Sequence, residues 1–90
     1  MIDIVYSDTF IKELKSYKGT PSYKAIKHLC FEIIPELNSL QDIPSLKKME
    51  GFTNYFRIRK GDYRIGIKIE DSKIYFLRCL HRKDIYKYFP

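Results

Sequence analysis

Tyr55-Phe56-Arg57-Ile58-Arg59-Lys60-Gly61-Asp62-Tyr63-Arg64-Ile65-Gly66-Ile67-Lys68-Ile69-Glu70 is the stretch from which the rest of the chain can be read. It alternates twice with the two-residue period of a half-buried strand. In the first run Phe56 and Ile58 share one face, and Tyr55, Arg57 and Arg59 take the other. In the second, Tyr63, Ile65, Ile67 and Ile69 alternate with Arg64, Gly66, Lys68 and Glu70. Lys60-Gly61 between them reads as a two-residue hairpin loop, with Gly61 supplying the positive φ such loops demand. That register sets Arg59 opposite Asp62, Ile58 opposite Tyr63, Arg57 opposite Arg64 and Phe56 opposite Ile65. Apolar pairs then share one face and polar pairs the other, as a consistent register requires. It also places two arginines face to face, which destabilises a sheet by up to about 1 kcal/mol. Stability alone does not ask for that pair.

Downstream, Asp71-Ser72 reads as a second two-residue turn and Lys73 to Leu80 as the next strand. This sets Lys68 beside Tyr75 and Arg64 beside Cys79. If the strand runs on, His81 joins the polar face, whereas Arg78 falls on the opposite one. Upstream, Met1 to Tyr6 reads as a short strand, and Ser7 as the N-cap of a helix from about Asp8 to Lys18 carrying Phe10, Leu14 and Tyr17. Gly19 stops it. Thr20 and Pro21 open a second helix whose stripe is Ile26, Leu29, Cys30, Ile33 and Leu37. Pro35 should kink or end it, and Asn38 to Pro44 reads as a loop. The reading is one domain over residues 1–90. It is an α+β fold of order β-α-α-β-β-β with a short C-terminal tail, its two antiparallel helices packed on one face of a mainly antiparallel sheet.

Composition agrees with a small folded domain. The chain has 90 residues, 44% hydrophobic and 16% aromatic, which separates it from aromatic-poor disordered sequences. No apolar run approaches the ~20 residues of a membrane span, and no basic leader precedes an apolar stretch, so a soluble cytoplasmic protein is expected. Cys30 and Cys79 have no metal-ligand spacing and read as buried apolar thiols. Charge is unevenly divided. Met1 to Leu46 carries five lysines and no arginine against six acids, whereas Lys47 to Pro90 carries twelve Lys/Arg against five acids. A basic half beside a near-neutral one points to an anionic partner, nucleic acid foremost.

Arg57, Arg59, Arg64, Lys68 and His81 would line one sheet surface. Arginine offers a planar fork that fits phosphate oxygens and stays ionised, so it can stabilise charge growing on a phosphodiester but cannot act as a general base. No carboxylate pair, Ser/His/Asp order, Gly-rich phosphate loop or metal-ligand cluster is apparent, and no cofactor is expected. The proton carriers in the basic half are His81, Tyr86 and Tyr88, with Lys47 or Lys48. Tyrosines among basic groups also suit base stacking on single-stranded RNA. Each residue has a plainer reading. Arg59 could pair with Asp62, His81 could cap a strand end, and Tyr86 and Tyr88 could be core aromatics. Arg64 has the weakest such alternative.

Three segments together resemble the RelE branch of the RelE/ParE superfamily, the toxins of type II toxin–antitoxin pairs. They are Leu46 to Gly51, Tyr55 to Arg64, and His81-Arg82-Lys83-Asp84-Ile85-Tyr86. The resemblance spans the whole chain in length and element order. It implies a ribosome-dependent messenger RNA endoribonuclease that inhibits translation, uses no metal and leaves a 2′,3′-cyclic phosphate and a 5′-hydroxyl. Arg64 and Arg82 would hold the scissile phosphate, Tyr86 would stack on a base or transfer a proton, and His81 would act as acid or base. Arg57 and Arg59 would hold the RNA backbone, with Lys47, Lys48 and Lys68 as further RNA-binding cations. The best-known members carry lysines where Arg57 and Arg59 stand, so the base is left open. The implied partners are the ribosome, messenger RNA and a small antitoxin whose acidic or amphipathic segment covers the basic face. Two other functions fit the same fold: a ParE-like inhibitor of DNA gyrase, and a non-catalytic RNA-binding module.

Overall fold

In the structure, a computed structural model that describes residues 2–90, Ser7 both closes a strand and starts a helix. β1 (Asp3–Tyr6) ends before it, and Met1 lies outside the described residues. The Ser7 hydroxyl accepts the Phe10 N–H at 3.1 Å and donates to the Leu77 carbonyl at 3.1 Å, so one side chain caps α1 (Asp8–Lys15) and ties it to the sheet. Gly19, at φ 89°, turns the chain. Thr20 then caps α2 (Pro21–His28) by accepting the Tyr23 N–H at 3.3 Å. The regular α-helix stops well before Pro35. Leu29–Ile33 widens into a π-helical turn and Ile34–Glu36 tightens into a 3₁₀ turn. Pro35 has no N–H for the Phe31 carbonyl and its ring would strike it; a wide turn moves that carbonyl aside.

The sheet has five strands rather than the four read from the sequence, ordered β1-β5-β4-β3-β2. The extra one is β2 (Leu46–Lys48), a three-residue edge strand whose Lys47 lies opposite Arg57 of β3 (Tyr55–Lys60). β4 (Tyr63–Glu70) and β5 (Lys73–His81) complete it; β1 runs parallel to β5 and every other pairing is antiparallel. The C-terminal tail contains one further helical turn, α3 (Ile85–Tyr88).

Two corrections to the register decide which residues share a face. The first hairpin loop is Gly61-Asp62, not Lys60-Gly61, because Lys60 pairs with Tyr63 and Gly61 (φ 58°) takes the first loop position. Arg59, not Arg57, therefore faces Arg64, while Arg57 faces Gly66, Ile58 faces Ile65 and Phe56 faces Ile67. Every partner moves by two residues, one full side-chain period, so the faces survive.

The second hairpin closes as expected, with Asp71 and Ser72 both at positive φ and Lys68 opposite Tyr75. Beyond it a β-bulge at Gly66/Ile67 intervenes: Ile67 faces Phe76 but Gly66 faces Arg78, leaving Leu77 as the extra residue. A one-residue insertion inverts every face after it. Arg78 moves to the face away from α1 and α2 (the open face), and Arg64 lies opposite Leu80 rather than Cys79. His81, expected on the open face, instead pairs with Tyr63 on the helix side, its ring edge-on at 5.5 Å.

The main core lies between the helices and the sheet. Phe10, Leu14, Ile26, Leu29, Cys30 and Ile34 pack against Ile58, Ile65, Ile67, Ile74, Phe76 and Cys79. Both thiols are free and buried, as expected. A smaller cluster of Met49, Ile85 and Phe89, flanked by Tyr55, Leu77 and Leu80, covers part of the open face. Among the described residues no helix is long and apolar enough to cross a membrane.

Burial within the main core also sets its response to alkali. The Cys79 thiol is pushed up to about 12 by desolvation and then by Glu13; the Tyr6 and Tyr17 phenols are likewise pushed up to about 12 by burial, and Cys30 is raised by the same cause. Each group is raised on folding, so its contribution is complete below its unfolded value, 9.0 for Cys and 10.0 for Tyr, and is lost as the pH climbs toward the folded value. The thermal midpoint is expected to fall between pH 8 and pH 11. A midpoint constant over that range would contradict it.

Candidate nucleic-acid interface

The arginines divide by whether an acid neutralises them. Arg78 is neutralised: its Nη2 lies 2.8 Å from Glu13 Oε2 and its Nε 3.1 Å from both carboxylate oxygens, so it belongs to the scaffold. The sequence places this charge on the face opposite the other cations; in the structure it is paired with Glu13. Among the described residues, no carboxylate forms an ion pair with Lys47, Arg57, Arg59 or Arg64. Arg82 Nε stands 4.0 Å from Asp62 Oδ1, both side chains being more than half exposed, a spacing that leaves most of the charge available. The Arg59–Asp62 pair considered from the sequence does not form.

Cross-strand pairing brings the unpaired cations together. Lys47 lies opposite Arg57, and Arg59 opposite Arg64. The Arg57 Nε donates to the Tyr86 hydroxyl at 3.3 Å and its Nη1 to the Ser45 carbonyl at 3.1 Å. The Arg64 Nη1 donates to the Gly61 and Tyr63 carbonyls at 2.9 and 3.0 Å, which folds this guanidinium back over its own hairpin. Burial, and then repulsion from Arg57, hold the Arg64 guanidinium below the usual arginine range; Arg59 and Arg82 add to this and Tyr86 opposes it. An arginine so placed remains charged. Its surroundings press for an anion.

A cleft of about 320 Å³ opens beside this group, lined among others by Lys47, Lys48, Glu50, Phe52, Arg57 and Tyr86. A shallower groove between Ser45, Lys47, Arg57 and Arg59 adjoins it. Tyr86 is 62% exposed and Tyr88 60%, so neither is the core aromatic that the sequence also allowed. Tyr86 projects because its neighbour Ile85 is fully buried in the small cluster.

Five cleft residues do not stand out in the sequence as site residues: Met49, Glu50, Phe52, Phe89 and Pro90. Phe52 is 45% exposed and meets Tyr55 edge-on at 6.0 Å, and Glu50 lines the same wall. The signal was Glu50-Gly51-Phe52 itself, where a large apolar side chain stands in a turn outside either alternating run, with Gly51 at φ 83°. Two expected members lie elsewhere. Lys68 is on the open face but beyond Gly66 and its covering Phe89, with Nζ 3.5 Å from Glu70 and 5.9 Å from the Tyr75 ring centroid. His81 is on the helix side, where its Nδ1 accepts the Lys83 N–H at 3.2 Å. That is the strand-end role.

Comparison with known proteins closes the question of family. Toxin RelE3 of Methanocaldococcus jannaschii is 47% identical over 88 residues, which are 97% of this chain and 98% of the relative. The chain belongs to the RelE toxin family. It is thus a toxin of the type II toxin–antitoxin class. The crystal structure of the RelB–RelE antitoxin–toxin complex from Methanococcus jannaschii matches this toxin with a TM-score of 0.71 at 43% identity, over 96% of this chain and 99% of that one. The Escherichia coli DinJ–YafQ complex matches with a TM-score of 0.72, over 96% and 99% of the two chains. At 20% identity that second likeness concerns the fold alone. No protein-family model matches the chain.

Proposed function

We propose that this toxin cuts messenger RNA on the ribosome, using the 2′-hydroxyl of the nucleotide before the cut as the nucleophile. The observation that carries the reading is the clustering of four cations without acid partners among the described residues near the exposed Tyr86: Lys47 and Arg57 line its cleft, Arg59 lines the adjoining groove, and Arg64 faces Arg59 across the strands. In such a cleavage the 2′-oxygen bonds to phosphorus while the bond to the 5′-oxygen breaks. Negative charge builds on the non-bridging oxygens between those events. Fixed guanidinium donors lower that barrier because they are aligned before the charge develops. Arg64, already crowded by like charge, gains most from an incoming phosphorane, with Arg82 beside it and Arg57 and Arg59 along the backbone.

Tyr86 is assigned the proton for the leaving 5′-oxygen. Its oxygen accepts from Arg57, which leaves the phenolic hydrogen free to be given away. Its exposed ring, with Phe52, offers faces for base stacking. No arginine can take the 2′-hydroxyl proton; Glu50, Lys47 and Lys48 are the cleft groups able to do so. The same unneutralised field supports an antitoxin with an acidic segment laid along the open face, in keeping with the relative solved as an antitoxin–toxin complex.

The chemistry of the cut ends tests the reading. Fragments released from ribosome-bound message should carry a 5′-hydroxyl, ligating to an adapter only after kinase treatment. Ends that ligate without it would mean that water, not the 2′-hydroxyl, was the nucleophile.

A further inference from the structure

The turn that carries Tyr86 is too short to hold itself. α3 spans four residues, whereas isolated helices in water are marginal even at ~12–15. Its place must come from tertiary contacts, and two of them hold the residues just after Tyr86. The first is at Gly66. A Cβ built there would lie 2.8 Å from Phe89 Cγ and Cδ2 and 2.9 Å from Cδ1, closer than real Cβ contacts come. The Phe89 ring therefore fills a socket that only glycine leaves, and it is 5% exposed. The second is at Arg78. Its Nη1 donates to the Tyr88 carbonyl at 3.2 Å, while the rest of the fork is gripped by Glu13 of α1. Glu13 in turn accepts the Cys79 N–H at 2.8 Å, so the clamp is rooted in β5 beyond the end of β1. The bulge turns Arg78 toward the tail.

We propose that the Gly66–Phe89 socket and the Glu13–Arg78 clamp form the device that fixes Tyr86 against Arg57, making Gly66, Phe89, Glu13 and Arg78 positioning residues for cleavage. This rests on the assignment of Tyr86 made above. Gly66 lies opposite Arg57 and Phe89 lines the cleft, while Glu13 and Arg78 stand outside it; the role assigned to all four is to support the tail rather than to bind RNA. They act by holding a phenol in place, and a misplacement of 1 Å can lower a rate by about 100-fold.

The test uses the whole chain with Gly66→Ala, which crowds the Phe89 ring, and separately Arg78→Lys, which keeps a charge for Glu13 but loses the fork that reaches Tyr88. Two quantities are read. One is hydrogen exchange at the Lys87, Tyr88 and Phe89 amides, which bond to the Asp84 and Ile85 carbonyls at 2.9 to 3.2 Å. The other is single-turnover cleavage of ribosome-bound message as toxin concentration is varied. In both variants the tail amides should exchange at least about tenfold faster. The maximal cleavage rate should fall by about 10- to 100-fold while the half-saturating concentration moves by less than about twofold. Phe89→Leu added to Gly66→Ala should recover part of the rate. Should Gly66→Ala fail to fold, Arg78→Lys decides alone.

Tail amides as protected as in the wild type would overturn the proposal, as would a loss expressed wholly as weaker binding. A wild-type protein that leaves message intact would remove the nuclease reading instead. The exchange result would still decide whether socket and clamp hold the tail.

Discussion

Arg64→Ala is expected to lower the maximal rate of message cleavage by about 100- to 1,000-fold, the loss seen when one fixed donor to a developing oxyanion is removed. Three features make this the most sensitive cation. It stands on the central strand β4, opposite Arg59. It lies within the field of Arg57, Arg59 and Arg82, whose repulsion is relieved when a doubly charged phosphorane enters. It has no acid partner to leave unpaired when it is truncated. Its two hydrogen bonds go to carbonyls of its own hairpin, Gly61 and Tyr63, so the change should leave the thermal midpoint within a few degrees. Single-turnover cleavage with thermal unfolding of the same preparation checks both halves. An active Arg64→Ala protein would remove the guanidinium from the mechanism, and an unfolded one would make it a scaffold residue.

Tyr86→Phe separates the two uses of that side chain. The substitution keeps the ring and removes the hydroxyl, so a proton-transfer role lowers the cleavage rate by about 100- to 10,000-fold. Tyr86→Ala should show the same rate loss and also weaken binding, since stacking contributes about 1–3 kcal/mol per base. Stability should be untouched in both, because the side chain is 62% exposed and the tail is held by Ile85 and Phe89. If Tyr86→Phe cleaves at the wild-type rate, the tyrosine only stacks. The proton for the 5′-oxygen then comes from another group.

How far the sequence led can be followed residue by residue. Caps at Ser7 and Thr20, the turn at Asp71-Ser72 and the alternation through β3 and β4 are short-range signals, and all of them appear as read. The first hairpin loop lies one residue later than the pattern suggests, because Lys60-Gly61 and Gly61-Asp62 both satisfy a glycine-containing loop. Local pattern cannot choose between registers that leave the same residues on the same faces.

The bulge was legible in principle. An isolated glycine inside an apolar-alternating strand marks a bulge or a close approach, and Gly66 is both. Its consequence is not legible locally, because the face inversion of Arg78 and His81 comes from the extra residue Leu77 on the partner strand, and the Phe89 ring that covers Gly66 arrives from 23 residues downstream. β2 escaped notice for the same kind of reason: three residues give no period, and their pairing exists only because β3 offers an edge. The site divides along that line. Arg57, Arg59, Arg64 and Tyr86 stand out by residue type, whereas Phe52 and Glu50 gain meaning only from the cleft they share.

The central claim is that an unneutralised arginine surface around Tyr86 cleaves message during translation. Primer extension across one defined message tests it most directly, with the toxin added to a translating extract and, separately, to the same naked RNA. The account expects discrete stops within codons in the extract and an intact message without ribosomes. An uncut message in the extract would contradict it, and inhibition of a gyrase supercoiling reaction by the same preparation would then move the toxin to the other branch of its superfamily.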